Sequence, residues 1–171
     1  QAAPANLATD LARYGSNAEW RGVYYRGDKI GFTVSQTIPV GDGFELQEDG
    51  RLQMSLLGAT TAAAIRTVAR VDSMFGLRSF EFSLDPGTGA IVVRGRVDQP
   101  PNGGTGARLV IGITSGGSTR KEERDLPNVP VLSLNFSRLL AGGRLAAGSR
   151  QQWTIFDPAT LRNAPVTVEI G

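Results

Sequence analysis

Apolar and polar residues alternate with a period of two through most of this chain. In Glu19–Ile38, Ile30, Phe32, Val34 and Ile38 alternate with Lys29, Gly31, Thr33 and Thr37, so each set belongs to one face of a strand. Glu19–Tyr25 is rich in the aromatic and β-branched residues that suit a pleated surface, and Arg26-Gly27-Asp28 turns one strand into the next. This hairpin is the seed of a large antiparallel sheet. Gly41-Asp42-Gly43 then leads into Phe44–Leu57. Asp49-Gly50 has the composition of a two-residue hairpin turn. A hairpin there would set Gln47 against Leu52 and Leu46 against Gln53, apolar against polar on each face. Reading straight through keeps Phe44, Leu46, Leu52, Met54 and Leu56 together, which predicts one long strand bent or bulged at Gly50.

Further along, Leu77–Leu84 separates Phe80, Phe82 and Leu84 from Ser79, Glu81 and Ser83. Ala90–Val97 separates Ile91, Val93 and Val97 from Val92, Arg94 and Arg96, and Leu109, Ile111 and Ile113 mark the next strand. The polar run Ser118–Asp125 suits an edge. Gln151–Phe156 and Val166–Ile170 are the last strands. Ala59–Val71 fits both periods, with Ala62, Ile65, Val68 and Ala69 on a helical stripe and Ile65, Thr67, Ala69 and Val71 on a strand face. Strands on both sides favour strand.

Two short helices are expected. Leu7, Leu11 and Tyr14 share a stripe within Pro4–Gly15, with Gly15 as the stop, which makes residues 1–17 a helical lead-in. Ser133 can cap a helix near 134–141 that contains Phe136, Leu139 and Leu140 and ends at Gly142-Gly143. Asp85–Gly89 and Gly116-Gly117 are turns, and Gln99–Gly106 is a loop. Counting gives roughly ten strands at the spacing of antiparallel all-β folds. The expected fold is mainly β, a single domain over residues 1–171. Its large twisted antiparallel sheet occupies residues 18–171 and curls into a half barrel; a two-sheet β-sandwich is the alternative. No internal repeat points to a propeller or solenoid.

Composition narrows the chemistry. The 171 residues suffice for one core, and 40% hydrophobic with 20% charged residues fits a globular chain. The 18 basic and 16 acidic residues are interspersed, and the densest run, Arg120–Asp125, carries both signs equally, which argues against a nucleic-acid partner. No apolar run reaches the roughly 20 residues that cross a bilayer. Cysteine and histidine are both absent. That removes disulfides, thiolate nucleophiles, imidazole bases and cysteine–histidine zinc sites. Gln1 in place of an initiator methionine, and an ending in strand-like residues, read as a processed or trimmed chain.

Short motifs add little. Arg26-Gly27-Asp28 spells an adhesion tripeptide, but a tight turn selects the same Gly and Asp. Gly103-Gly104-Thr105-Gly106 lacks the lysine and helix of a phosphate loop. Glu19, Glu45, Glu48, Asp49, Glu81, Glu122, Glu123 and Glu169 could supply a carboxylate pair for hydrolysis, yet no spacing selects one. No metal site and no cofactor is implied. The aromatics Trp20, Tyr24, Tyr25, Phe32, Phe80, Phe82, Trp153 and Phe156 read first as core. The other reading is a groove for an apolar ligand, lined by Phe32, Val34, Phe80, Phe82, Leu109, Ile111 and Trp153.

Trp20-Arg21-Gly22-Val23-Tyr24 followed by Gly27-Asp28-Lys29-Ile30-Gly31-Phe32-Thr33 resembles the opening of β domains in exported bacterial proteins. Leu77–Phe82 and Trp153–Leu161 also resemble landmarks of such domains. They precede a transglutaminase-like core in many chains, and similar sequences stand alone with a sheet like that of periplasmic lipoprotein carriers. The resemblance implies strand for Ala59–Val71 and identifies no functional residue. It implies a non-catalytic accessory or binding domain that serves a transglutaminase-like hydrolase, with a downstream or partner protein domain as its partner. The alternatives are a carrier of lipid or another apolar ligand and an uncharacterised carboxylate-based enzyme. The implied location is periplasmic or secreted.

Overall fold

The computed structural model describes residues 12–56, 58–100, 102–136, 139–140 and 146–171. Eight strands form one open antiparallel sheet in strict chain order. They are β1 (Glu19–Tyr25), β2 (Asp28–Val40), β3 (Gly43–Leu56), β4 (Ala59–Val71), β5 (Leu77–Asp85), β6 (Ile91–Asp98), β7 (Ala107–Ser115) and β8 (Ser118–Leu126). A smaller sheet holds β9 (Val131–Leu132), β10 (Arg150–Asp157) and β11 (Arg162–Glu169) in the order β11-β10-β9. Its short β9 runs parallel to β10, the one departure from antiparallel pairing among the described residues. The fold is mainly β.

Turn chemistry sets the meander. Arg26 and Gly27 both have positive φ, 52° and 90°, as do Gly116 and Gly117 at 58° and 81°. Two successive left-handed residues twist a tight turn in the sense that flanking strands prefer, so β1–β2 and β7–β8 close as two-residue hairpins. Asp49 and Gly50 lie inside β3, which runs unbroken, and Ala59–Val71 is a strand. No bulge occurs at Gly50, whose pairing with Thr33 and Ile65 is in register. Its missing side chain has another use: a Cβ there would meet Ile65 Cγ1 at 2.8 Å and Thr33 Cγ2 at 2.9 Å. The register shifts fall instead at Val23/Tyr24 and Arg70/Val71.

The cross-strand register sorts side chains into an interior and an outer face. The row Thr37–Leu46–Ala69–Phe80–Gly95–Ile111–Glu122 belongs to the interior face. Leu46, Ala69, Val71, Leu77, Phe80, Phe82, Val93, Leu109, Ile111 and Leu126 from that face form the core with Leu132 and Phe156 of the small sheet. The small sheet therefore roofs the interior face. It is tied down where Leu77 N–H donates to Pro130 O at 2.9 Å, and where Arg124 Nη1 donates to the carbonyl of Leu161. The outer face carries charge, as in the Glu81–Arg94 pair at 2.7 Å.

The helices differ from expectation. The stripe Leu7–Leu11 lies outside the described residues, and the chain at 12–13 is a turn. Ser133 does not cap: it sits inside a 3-10 turn, Ser133–Asn135, whose N-cap is Leu132 with no side-chain bond. Phe136, Leu139 and Leu140 are helical, and Gly142-Gly143 lies outside the described residues.

Candidate functional site

The seven residues expected to line one groove divide among three places. Phe80, Phe82, Leu109 and Ile111 lie together on the interior face but are buried, with the Phe156 ring 5.2 Å from that of Phe80. Phe32 and Val34 are on the outer face, because Phe32 pairs with Gly22 and Arg51 while Val34 pairs with Trp20 and Asp49. Trp153 belongs to β10, edge-on to Phe136 at 5.7 Å, and alternates with the buried Thr154 and Phe156. No continuous groove joins them. The aromatics also split: Trp20, Tyr24 and Tyr25, expected in the core, are 55%, 64% and 59% exposed.

These three exposed rings sit on β1, which is one edge of the large sheet. Trp20 lies 5.8 Å from Phe32, and Arg26 stacks over Tyr25 at 5.2 Å. Gly22 leaves space that the Tyr24 ring occupies, since a Cβ there would fall 2.8 Å from Tyr24 Cε2. Arg21 and Glu19 pair with each other at 2.7 Å, which leaves this edge close to neutral. The other edge is β8. It presents Arg120, Lys121, Glu122, Glu123, Arg124 and Asp125, engaged in pairs such as Arg108–Asp125 at 3.1 Å. Charges along an edge discourage another strand from adding to it. β8 is guarded in this way along most of its length, whereas β1 carries only the Glu19–Arg21 pair and otherwise presents aromatics.

Two adjacent carboxylates in β3 go to opposite faces. Asp49, on the outer face beside Val34, is buried and accepts hydrogen bonds from Arg13 and from the Tyr14 hydroxyl. Burial and the hydrogen bond to Asp49 hold the Tyr14 phenol well above its ordinary range. Glu48 points to the interior face, between Ser35 of β2 and Thr67 of β4. Burial raises its pKa above the ordinary carboxyl value; Arg21 opposes this, and Asp157 and Asp49 reinforce it. Glu48 shares the parity of Phe44, Leu46 and Leu52. A carboxylate in an apolar register was the available signal, and periodicity alone did not pick it out.

A surface cleft of about 500 Å³ lies between the β6–β7 loop and the end of β8, lined by Asp98, Pro100, Arg108, Asp125 and Leu126 among others. It is open, and the one perturbed group in it, Arg108, is raised by its exposed hydrogen bond to Asp125 on the same wall. No group of three or more acidic residues placed to hold a metal occurs among the described residues. No described helix is long and apolar enough to cross a membrane. No family model, curated protein or solved structure matches the chain.

Proposed function

We propose that this chain is a non-catalytic binding module of an exported bacterial protein, serving an attached or partner transglutaminase-like hydrolase in the periplasm or outside the cell. Its docking surface is the β1 edge, and the occupant is an extended polypeptide segment of the partner that adds as a further strand. The observation that carries this reading is the asymmetry of the two edges. An unguarded edge offers backbone donors and acceptors to an incoming strand, and side chains on the flanking face select its sequence. Here the flanking groups are Trp20 and Tyr24, large rings that bury much area at little cost in rotamer freedom. The paired Glu19 and Arg21 favour an uncharged segment rich in apolar residues.

The apolar-carrier reading has less support, because Phe80, Phe82, Leu109 and Ile111 are covered by the small sheet. Peptides selected by display on the immobilised chain test the proposal, followed by amide shift mapping of the 15N-labelled protein. The expected result is perturbation centred on Glu19–Tyr25, lost in Trp20→Lys and Tyr24→Lys variants that keep the wild-type spectrum elsewhere. Selected peptides that map to another surface, or that bind both variants as well as wild type, would overturn it. So would shifts at β1 that appear only with vesicles or on self-association.

A further inference from the structure

On the interior face, Ser35, Glu48 and Thr67 stand in one cross-strand row, away from the β1 edge. Directly opposed Cβ atoms of antiparallel strands lie about 4.5–5.5 Å apart, so two hydroxyls flank one carboxylate within reach of a single small group. Ser35 is 8% exposed and Thr67 5%. Among the described residues, none of these three side chains takes part in a hydrogen bond or ion pair, and none of their oxygens is sealed from solvent without a partner. Glu48 itself is half-buried, and a partly desolvated carboxylate is best matched by a hydrogen-bond donor with positive charge.

The surrounding charges point the same way. Asp157, at the end of β10, adds a second negative charge acting on Glu48. Arg21, the guanidinium that acts on Glu48, is held at 2.7 Å by Glu19 instead. A primary ammonium presents three N–H donors, which match one carboxylate and two hydroxyl oxygens. We propose that the Ser35–Glu48–Thr67 row binds a primary alkylammonium group, supplied by a free amine or by a lysine side chain of a peptide.

The test uses the whole chain labelled with 13C at glutamate side-chain carboxyls and titrated with 1,5-diaminopentane, or with an N-acetylated, C-amidated lysine tripeptide. The expected result is a saturable shift of the Glu48 carboxyl resonance. The amine responding alone, or the peptide alone, identifies the source, and either supports the site. Ser35→Ala and Thr67→Val should each weaken binding by about tenfold, since each removes a hydrogen bond to a charged group. Glu48→Gln, which preserves the side-chain size, should abolish it, read from the remaining resonances of a folded spectrum. Tetramethylammonium, which has no N–H, should give no response. The proposal is overturned if neither probe shifts Glu48 or if tetramethylammonium acts equally. It is also overturned if calcium acts where amines do not, or if Glu48→Gln binds like wild type.

Discussion

Glu48 and Asp49 are neighbours in the chain, yet the pleat of β3 sends them into opposite environments. Asp49 on the outer face is met by Arg13 and Tyr14, residues that precede the sheet and lie across it there. Glu48 on the interior face stands in register between Ser35 and Thr67, with the charges of Arg21 and Asp157 acting on it in opposite senses. The outer carboxylate is therefore part of the fold's own fastening. The inner one is a cost to folding, because burial disfavours its charged form. Sequence adjacency carries no information about which role a strand carboxylate takes; the face does.

Substitutions should separate the two faces in a definite order. The largest loss is expected for Phe156→Ala, which opens a cavity against Phe80 beneath the small sheet. Urea denaturation should show about 3–5 kcal/mol of destabilisation. Asp49→Ala comes next, leaving the Tyr14 hydroxyl and Arg13 without their acceptor. A loss of about 1–3 kcal/mol is expected, toward the lower end because the Arg13 side chain is 33% exposed. Tyr14 gives the same contact a pH signature. Its folded pKa is raised, so its contribution is complete below the ordinary phenol pKa and disappears as pH rises through the folded value. Alkaline titration of stability should show this slope in wild type and not in Tyr14→Phe.

Glu48→Gln should act in the opposite direction. A raised carboxyl pKa means that the folded state prefers the protonated form, so stability falls as pH rises from the ordinary carboxyl pKa through the raised one. The glutamine variant should match or exceed wild-type stability at neutral pH, and thermal melts across pH 4–7 should lose that dependence. The smallest effect belongs to the outer charge ladder. Arg94→Ala breaks a pair whose side chains are 65% and 51% exposed, and should shift stability by no more than about 0.5 kcal/mol in the same urea assay. A large loss there would show that the outer face is more than a solvated surface.

Much of the architecture was legible because alternation is a within-strand property. The parity of Phe44, Leu46 and Leu52 carried β3 through a Asp-Gly pair that looks like a turn, and Phe80 with Phe82 and Leu109 with Ile111 were correctly set together. What periodicity does not encode is how the parity of one strand connects to that of the next. Val34 pairs with Asp49 and Thr37 with Leu46, so the apolar set of β2 faces outward while that of β3 faces inward. The expected groove failed at this step, since Phe32 and Val34 could share a face with Phe80 only under another register. The row of Ser35, Glu48 and Thr67 was hidden for the same reason. The exposure of Trp20, Tyr24 and Tyr25 was hidden because an edge strand is defined by the neighbour it lacks, which no local pattern reports.

The large sheet follows chain order from β1 to β8, and the strands that roof it come after all of them. During synthesis, each hairpin can close as soon as it emerges, because every partner strand is the one just made. The side chains of Phe80, Phe82, Leu109 and Ile111 cannot be covered then, because Leu132 and Phe156 have yet to be added. A nascent chain that has reached Leu126 is thus a paired sheet with a wet apolar interior, the kind of intermediate that aggregates or engages chaperones. Completion of β10 converts that vulnerable surface into a core, which makes the last strands the step that commits the molecule to its native state.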